Sequence, residues 1–262
     1  MINITSPVSF SQGNNAAQNL NSNQTIKVIE LRNYLVRHGR RDEFINLFEE
    51  NFTRSQNILG GYILGQYRVK RADDNFFWIR GFKDMTARHK FLNDFYYSSP
   101  SWKQHKSEAN SMLLNNDNVY LLQPLDLKNN ANTAEFNFNT DWFGQKRGIA
   151  LIDFYNSNTK RDKLIEFVKQ KYAAILSSSK IENTSFWMSE TTPNDFTNLP
   201  VFQDKNLLVQ ITFYKDESEY KAKMKDVNSK MNDELKNEMA DLVTTKNTLI
   251  LYPTEKSFLL KK

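Results

Sequence analysis

Cysteine is absent from this 262-residue chain. Its absence excludes disulfide bridges, thiolate nucleophiles and the cysteine-ligated zinc and iron–sulfur centres. A chain without disulfides suits a reducing compartment, so we expect a cytoplasmic protein. Histidine is also scarce, with three residues in the whole chain. Few nitrogen and thiolate ligands are therefore left for a transition metal, and we expect no metal site.

Long apolar runs, one-sided charge and the common catalytic motifs are missing as well. No segment approaches the about 20 apolar residues that a membrane helix needs, so we expect no membrane span. The net charge of +5 is mild and basic residues alternate with acidic ones, which argues against a nucleic-acid partner. The sequence contains no P-loop, dinucleotide-binding glycine motif, zincin motif or nucleophile elbow.

The start of the chain has none of the marks of a targeting signal. Met1–Gln24 lacks the basic start and apolar run of a secretory signal, and it has too few arginines for a mitochondrial presequence. Ser11–Gln24 consists mostly of Ser, Gln, Asn, Gly and Ala, a composition typical of disorder. We therefore predict a disordered tail over residues 1–25.

The rest of the chain contains the same unit twice. Three segments of the first copy recur in the same order, 120, 132 and 129 residues later. They are RDEF at 41–44 and RDKL at 161–164, FKD at 82–84 and YKD at 214–216, and NVYLLQP at 118–124 and NTLILYP at 247–253. Nearly constant offsets in a fixed order indicate a tandem duplication with loops of different length.

Each copy has the pattern β-α-β-β-α-β, with additional helix before its last strand. In the first copy, the predicted strands cover 26–36, 62–70, 75–82 and 119–125, and the helices cover 40–56, 84–97 and a stretch that begins at Pro100. In the second copy, the predicted strands cover 148–155, 183–189, 206–215 and 248–252, and the helices cover 159–176 and 218–244. This order is that of a ferredoxin-like unit.

A four-stranded sheet with helices on one face leaves its other face bare, so two such units can cover each other. The predicted fold is α+β, with two tandem ferredoxin-like units packed sheet to sheet as an eight-stranded barrel. The predicted domain organisation is a tail over 1–25, a first unit over 26–125, a polar linker over 126–147, a second and degenerate unit over 148–255, and a C-terminal tail over 256–262.

Several segments of the first copy resemble bacterial NIPSNAP-family proteins. They are IELRNY, GRRDEFINLFEENF, LGQYR and FFWIRGFKDMTARHKFLNDFYYSSPSWKQHKSEANSML, followed by DNVYLLQP, and together they span about residues 26–125. The resemblance implies a dimeric α/β-barrel fold, here made within one chain, in the wider group that includes antibiotic-biosynthesis monooxygenases and haem-degrading enzymes. It implies no settled catalytic activity. Further self-association of the chain remains open.

The candidate ligand pocket follows from the alternation of side chains along two strands. Ile29 and Leu31 suit the helix side of the first strand, which would turn the residues between them into the barrel. The same argument applied to the third strand turns Trp78, Arg80 and Phe82 into the barrel. The predicted pocket consists of Glu30, Arg32, Tyr34, Trp78, Arg80, Phe82, Trp102 and His105. The alternative is that Glu30 pairs with Arg80 or Arg32 only to satisfy buried charge.

Two further residues of the first copy have alternative interpretations. The resemblance offers haem ligation by His105, because a histidine on the corresponding helix ligates iron in some α/β-barrel haem proteins; otherwise we expect no cofactor. Arg88 lies four residues after Asp84, the spacing of an ion pair within a helix. In the second copy we match Asp153 to Glu30, and Gln210, Thr212 and Tyr214 to Trp78, Arg80 and Phe82. We therefore expect any site in the first copy.

Three functions fit these observations. The first is a small-molecule-binding barrel of the NIPSNAP type, with one site in the first unit. The second is a monooxygenase-like enzyme, either haem-using or cofactor-free, in which Arg80 or His105 stabilises a developing anion. The third is a protein-interaction module whose barrel interior is simply core. An interior filled with apolar side chains would favour the third.

Overall fold

The computed structural model describes residues 26–126, 148–157 and 160–257. The predicted N-terminal tail, nearly all of the predicted linker and the last five residues of the chain lie outside the described residues. Within the described part, no helix is long and apolar enough to cross a membrane.

The first unit contains five strands and four α-helices. Its strands are β1 (Val28–Val36), β2 (Tyr62–Val69), β3 (Ala72–Phe82), β4 (Leu113–Asn115) and β5 (Val119–Pro124). Its helices are α1 (Arg41–Leu47), α2 (Thr53–Ile58), α3 (Met85–Asn93) and α4 (Pro100–Met112). Asp84 caps α3 by accepting a hydrogen bond from the Ala87 backbone N–H, and Ser99 caps α4 in the same way through Trp102. Sequence analysis missed the short strand β4.

The second unit repeats this order. Its strands are β6 (Ile149–Asn156), β7 (Thr184–Ser189), β8 (Leu207–Tyr214) and β9 (Thr245–Pro253), and its helices are α5 (Arg161–Phe167), α6 (Ala173–Ser178), α7 (Glu217–Lys230) and α8 (Asp233–Leu242). The helix predicted over 218–244 is therefore two helices, because the chain turns to an extended conformation at Met231. Asn232 then caps α8 by accepting from the Leu235 N–H.

Eight antiparallel strands close into a barrel in the order β1-β3-β2-β9-β6-β8-β7-β5, and β5 returns to β1. The two units meet at the pairs β2–β9 and β5–β7, so each sheet supplies half of the wall. The predicted α+β barrel of two ferredoxin-like units is confirmed.

The barrel interior is packed with apolar side chains from both units. The first unit contributes Ile29, Leu31, Phe77 and Ile79, and the second contributes Ile152, Phe154, Val209 and Ile211. An eight-stranded barrel has an interior just wide enough for side chains to fill. The helices cover the outer face of each sheet, where two further cores lie.

This packing corrects the predicted direction of the candidate residues. Glu30, Arg32, Tyr34, Trp78, Arg80 and Phe82 lie on the outer, helix-covered face of the sheet, and not in the barrel. Ile29 and Leu31 point into the barrel instead of toward the helices. The interior is lined by apolar side chains that offer no partner to a charge, whereas on the outer face Glu30 meets arginines from β1 and β3, so the polar set is satisfied there.

In the described part of the chain, three π-helical segments interrupt the helices that cover the two sheets. They are Phe48–Phe52 between α1 and α2, Asp94–Ser98 before α4, and Val168–Tyr172 between α5 and α6. The first and third lie at the same place in the two copies. A π-helical turn inserts an extra residue into a helix and is frequent at functional sites. Two of the three lie in the first unit.

Candidate functional site

One buried carboxylate in the first unit is shared by three arginines. Glu30 Oε2 accepts hydrogen bonds from Arg32 Nη1 at 2.8 Å and from Arg80 Nε and Nη2 at 2.9 and 2.6 Å. Glu30 Oε1 accepts from Arg88 Nε at 2.8 Å. All four side chains are 0% exposed. Of the two alternatives, the predicted pairing of Glu30 with Arg32 and Arg80 is thus present.

Strand register explains why these groups meet. Glu30 and Arg32 are two residues apart on β1 and therefore share a face. Arg80 lies directly opposite Glu30 on β3. Arg88 reaches the same carboxylate from α3, so the predicted ion pair between Arg88 and Asp84 is wrong. The Asp84 carboxylate caps α3 instead, by accepting from the Ala87 N–H at 2.7 Å.

The cluster carries an excess of positive charge. Burial opposes ionisation of Glu30, but the attraction of Arg80, Arg32 and Arg88 outweighs it and holds the pKa of Glu30 well below its usual range. One carboxylate thus faces three guanidinium groups. Asp195 lies 3.8 Å from Arg88 Nη1, but its side chain is 48% exposed, so solvent screens its charge.

Three buried donors around the cluster have no hydrogen-bond partner among the described residues. They are Arg32 Nη2, Arg88 Nη2 and the indole Nε1 of Trp78. Arg80 differs, since its Nη1 donates to Gln56 Oε1 at 2.8 Å and its other two nitrogens bond to Glu30. Buried polar groups in native proteins nearly always have a partner, so unpartnered donors indicate where a bound group would be stabilised.

A cavity of about 230 Å³ lies between the outer face of the sheet and the helices, and of the three residues that carry these donors, Trp78 lines it. Most of its wall is aromatic, and none of its lining residues is acidic. The lining comprises Tyr34 and Trp78 from the sheet, Phe44, Phe48, Phe52 and Gln56 from the first helical stretch, Phe95, Tyr96 and Tyr97 from the second π-helical segment, Trp102, Ala109, Asn110, Leu113 and Asn116 from α4 and beyond, and Phe196, Asn198 and Leu199 from the second unit.

Seven of the eight predicted pocket residues fall into two groups, and His105 belongs to neither. Tyr34, Trp78 and Trp102 line the cavity. Glu30, Arg32, Arg80 and Phe82 are fully buried behind its wall. Arg80 is connected to the cavity through Gln56, which accepts from it and lines the wall.

Tyr34 connects the charged cluster with the cavity. Its hydroxyl oxygen accepts a hydrogen bond from Arg32 Nε at 2.9 Å. Burial raises the pKa of Tyr34 above its ordinary value, so the phenol keeps its proton and can donate. The Arg32 guanidinium carbon is 5.4 Å from the centroid of the Tyr34 ring and 5.2 Å from that of Trp78. Arg32 is therefore adjacent to two walls of the cavity.

His105 does not line the cavity. It is partly exposed on α4, its ring centroid lies 6.4 Å from that of Phe52, and its Nδ1 is 3.8 Å from Glu108 of the same helix. In the described part of the chain, no group of three or more His, Asp or Glu side chains is arranged to hold a metal ion. Haem ligation through His105 stays a prediction, and the cavity lining offers it no histidine.

A loop of the second unit supplies part of the wall of the first unit's cavity. Residues 190–206, between β7 and β8, supply Phe196, Asn198 and Leu199 to its wall. Arg88 Nη1 donates to Asn194 Oδ1 at 2.9 Å, and Asn198 Nδ2 donates to the Tyr97 hydroxyl at 2.8 Å. The sequence held a signal for this loop, because the offset between the copies rises from 120 to 132 across it.

Register also corrects the match between the two copies. Glu30 pairs with Arg80 on β3 and Leu151 pairs with Thr212 on β8, while Asp84 and Asp216 cap the following helices. Leu151 therefore corresponds to Glu30, and Asp153 corresponds to Arg32. The predicted match of Asp153 to Glu30 is wrong, whereas the matches of Gln210 and Thr212 to Trp78 and Arg80 agree with the register. The second copy has no counterpart of the arginine cluster.

Comparisons with known proteins support the fold. No family model and no curated protein matches this chain. It is similar to a "putative monooxygenase" from Lactobacillus acidophilus, with 14% identity over 87% of this chain and 94% of that one and a TM-score of 0.56. A second protein of that name, from Fusobacterium nucleatum, is 11% identical over 87% and 93%, with a TM-score of 0.57.

A NIPSNAP family protein from Agrobacterium tumefaciens also aligns, at 20% identity over 38% of this chain and 88% of that one, with a TM-score of 0.35. The two nearly full-length matches share the whole barrel with this chain. At such identities they establish the fold and leave the activity open. The α/β-barrel fold implied by the sequence resemblance is thereby confirmed.

Proposed function

We propose that this protein is a small-molecule-binding α/β barrel of the NIPSNAP type, with its site in the first unit. One observation carries the proposal: an aromatic-walled cavity is lined by Trp78, whose buried indole N–H has no partner among the described residues. Ligand sites in proteins are mostly apolar concavities with a few convergent polar groups. The cavity of about 230 Å³ is below the roughly 300–1,000 Å³ of typical sites, which favours a compact ligand.

Filling the cavity tests the proposal. Ala109 is buried on α4 and lines the cavity, so Ala109→Met would occupy the ligand space at little cost in stability. Ala150 points into the packed barrel, where the same substitution has no room and should destabilise the protein. We expect compact aromatic compounds to raise the melting temperature of the wild type and to leave that of Ala109→Met unchanged. If the compounds raised the melting temperatures of the wild type and of Ala109→Met equally, binding would lie elsewhere and the proposal would be refuted.

The second candidate is a monooxygenase-like enzyme. Its support is the shared barrel with two proteins named as putative monooxygenases. Cofactor-free oxygenation needs a substrate that supplies its own electrons to O₂, and a site that stabilises the substrate anion. None of Arg32, Arg80 and His105 lines the cavity, but Arg32 donates to the hydroxyl of Tyr34, which does, so we assign this role to Arg32 acting through Tyr34. Consumption of O₂ by the protein with electron-rich aromatic compounds tests this candidate.

The filled barrel interior is the outcome that we expected for an interaction module. It does not decide between the candidates, because the cavity lies outside the barrel, beneath the helices.

A further inference from the structure

We propose that the ligand of the first-unit cavity is a compact aromatic anion whose carboxylate is bound by the Tyr34 hydroxyl and the Trp78 indole. This inference rests on the proposed function and names the chemical class of its ligand. It follows from three independent properties of the site: its charge, its donors and its walls.

The charge argument concerns the wall behind the cavity. Three fully buried guanidinium groups face one fully buried carboxylate. The only other carboxylate that forms an ion pair with any of them among the described residues, Asp195, is half-exposed and screened by solvent. Isolated buried charge is costly, and an opposite charge placed nearby lowers that cost. None of the cavity's lining residues is acidic. A ligand that brings one negative charge would supply the missing counter-charge.

The donor argument concerns two polar groups carried by side chains that line the cavity. Tyr34 uses its oxygen as an acceptor for Arg32 Nε, so its own proton is available to donate. Trp78 Nε1 can only donate, and it has no acceptor among the described residues. Both side chains line the cavity. The amide oxygen of Gln56, an acceptor in the wall, already accepts from Arg80. Tyr34 and Trp78 therefore both offer a donor, and an anionic oxygen is the strongest acceptor for such donors.

The walls set the shape of the rest of the ligand. Phe48, Phe52, Phe95, Trp102 and Phe196 enclose the cavity and present flat apolar surfaces. Rings packed against rings are favoured in offset or edge-to-face arrangements, which suits an aromatic body. The oxygens of a carboxylate lie in the plane of such a body and can accept from two donors at once. Arg32 is then a positioning residue that acts through Tyr34.

Matched acids and amides test this inference. Benzoate and 2-naphthoate would be titrated against benzamide and 2-naphthamide, which have the same shape without the charge, and binding followed by calorimetry and by tryptophan fluorescence. We expect each acid to bind at least about tenfold more tightly than its amide, the change that one hydrogen bond to a charged group gives. Tyr34→Phe should remove most of this preference. Tyr155→Phe, the same substitution at the corresponding position of the second unit, should leave it unchanged.

The outcomes separate this inference from the proposed function. If the amides bound the wild type as tightly as the acids did, the inference that the ligand is an anion would be overturned. If those amides also failed to bind Ala109→Met, the cavity would still be the binding site. Equal effects of Tyr34→Phe and Tyr155→Phe would overturn the assignment to Tyr34. If no compound of the panel bound, both the inference and the proposed function would be contradicted. Trp78→Phe, which removes the unpartnered indole N–H, should weaken the preference for the acids in the same way as Tyr34→Phe, and neither substitution removes a charge.

Discussion

Tyr34 and Tyr155 occupy the same position in the two units, yet their hydroxyl groups have partners of different charge. The Tyr34 oxygen accepts a hydrogen bond from the Arg32 guanidinium at 2.9 Å, whereas the Tyr155 hydroxyl donates to the neutral amide oxygen of Gln210 at 3.1 Å. Both side chains are buried beneath the helices of their units. The duplication thus kept the position and changed its electrostatics. Tyr34, whose hydrogen-bond partner is charged, is the one of the two tyrosines that lines the cavity.

Arg80 is expected to be a structural residue and not a direct ligand contact. Its side chain is fully buried and doubly hydrogen-bonded to Glu30. Glu30 would keep its bonds from Arg32 and Arg88, but Arg80→Ala removes two charged hydrogen bonds to Glu30 and the buried donor to Gln56, so it should lower the free energy of unfolding by at least about 2 kcal/mol. Thr212, its counterpart, hydrogen-bonds to Thr184, and Thr212→Ala should cost about 1 kcal/mol. Urea unfolding of the two variants checks this, and equal losses would contradict it.

Glu30 should make stability depend on pH in the acid range. Its pKa in the folded protein lies well below its usual range, and the unfolded chain restores the ordinary value near 4.5. The unfolded state therefore binds the proton first as the pH falls, so the stabilisation present above about pH 4.5 is lost progressively below it. Glu30→Gln should be less stable than the wild type at pH 7, and the difference should shrink toward pH 3.

The control for this pH effect is Glu43, which forms an exposed ion pair with Arg40 three residues earlier in the chain. Exposed pairs contribute little to stability, so Glu43→Gln should follow the wild type across the whole pH range. Unfolding free energies from urea titrations at pH 7, 5, 4 and 3 make the comparison. A constant gap between Glu30→Gln and the wild type would show that Glu30 ionises alike in the folded and unfolded states.

The architecture could be predicted because several independent signals agree. The repeated segments indicated the duplication, and the order of helix and strand patterns indicated a ferredoxin-like unit. The uncovered face of each predicted sheet indicated that the two units pack together. The face assignment failed for a physical reason. Both faces of β1 are buried, one in the barrel and one beneath the helices, so alternation separates Ile29 from Glu30 without telling which face each takes.

The site was harder to predict because its parts are distant in sequence. Arg88 reaches Glu30 across 58 residues and Asn194 across 106, contacts that no local spacing encodes. The four-residue spacing predicted that Arg88 pairs with Asp84. The Asp84 carboxylate instead accepts a hydrogen bond from the Ala87 backbone N–H at the start of α3. The loop that carries Asn194 could have been located from the change in repeat offset. Its contact with the cavity of the first unit could not have been predicted in this way.

The packed barrel interior predicts a strict requirement for glycine at position 65. A methyl group on Gly65 would overlap the ring of Tyr67, which lies across it in the same strand. Because the surrounding interior is filled, the ring cannot move away freely, and Gly65→Ala should cost about 1–3 kcal/mol. Tyr67→Leu in the same chain should recover part of this loss, since it removes the overlapping ring. A double-mutant cycle by thermal unfolding measures the coupling, and purely additive effects would contradict the contact.

The loop over residues 190–206 should control access to the cavity. Asn194 holds it in place, because its Oδ1 accepts from Arg88 and its Nδ2 donates to the backbone oxygens of Phe196 and Leu199. Asn194→Ala removes these bonds without touching the cavity wall, so the backbone around Phe196 should exchange its amide hydrogens faster. Ligand association and dissociation should both accelerate. Thr191→Ala, an exposed position of the same loop, is the control and should leave exchange unchanged. Hydrogen exchange followed by mass spectrometry decides: unaltered protection near Phe196 in Asn194→Ala would mean that other contacts hold the loop closed.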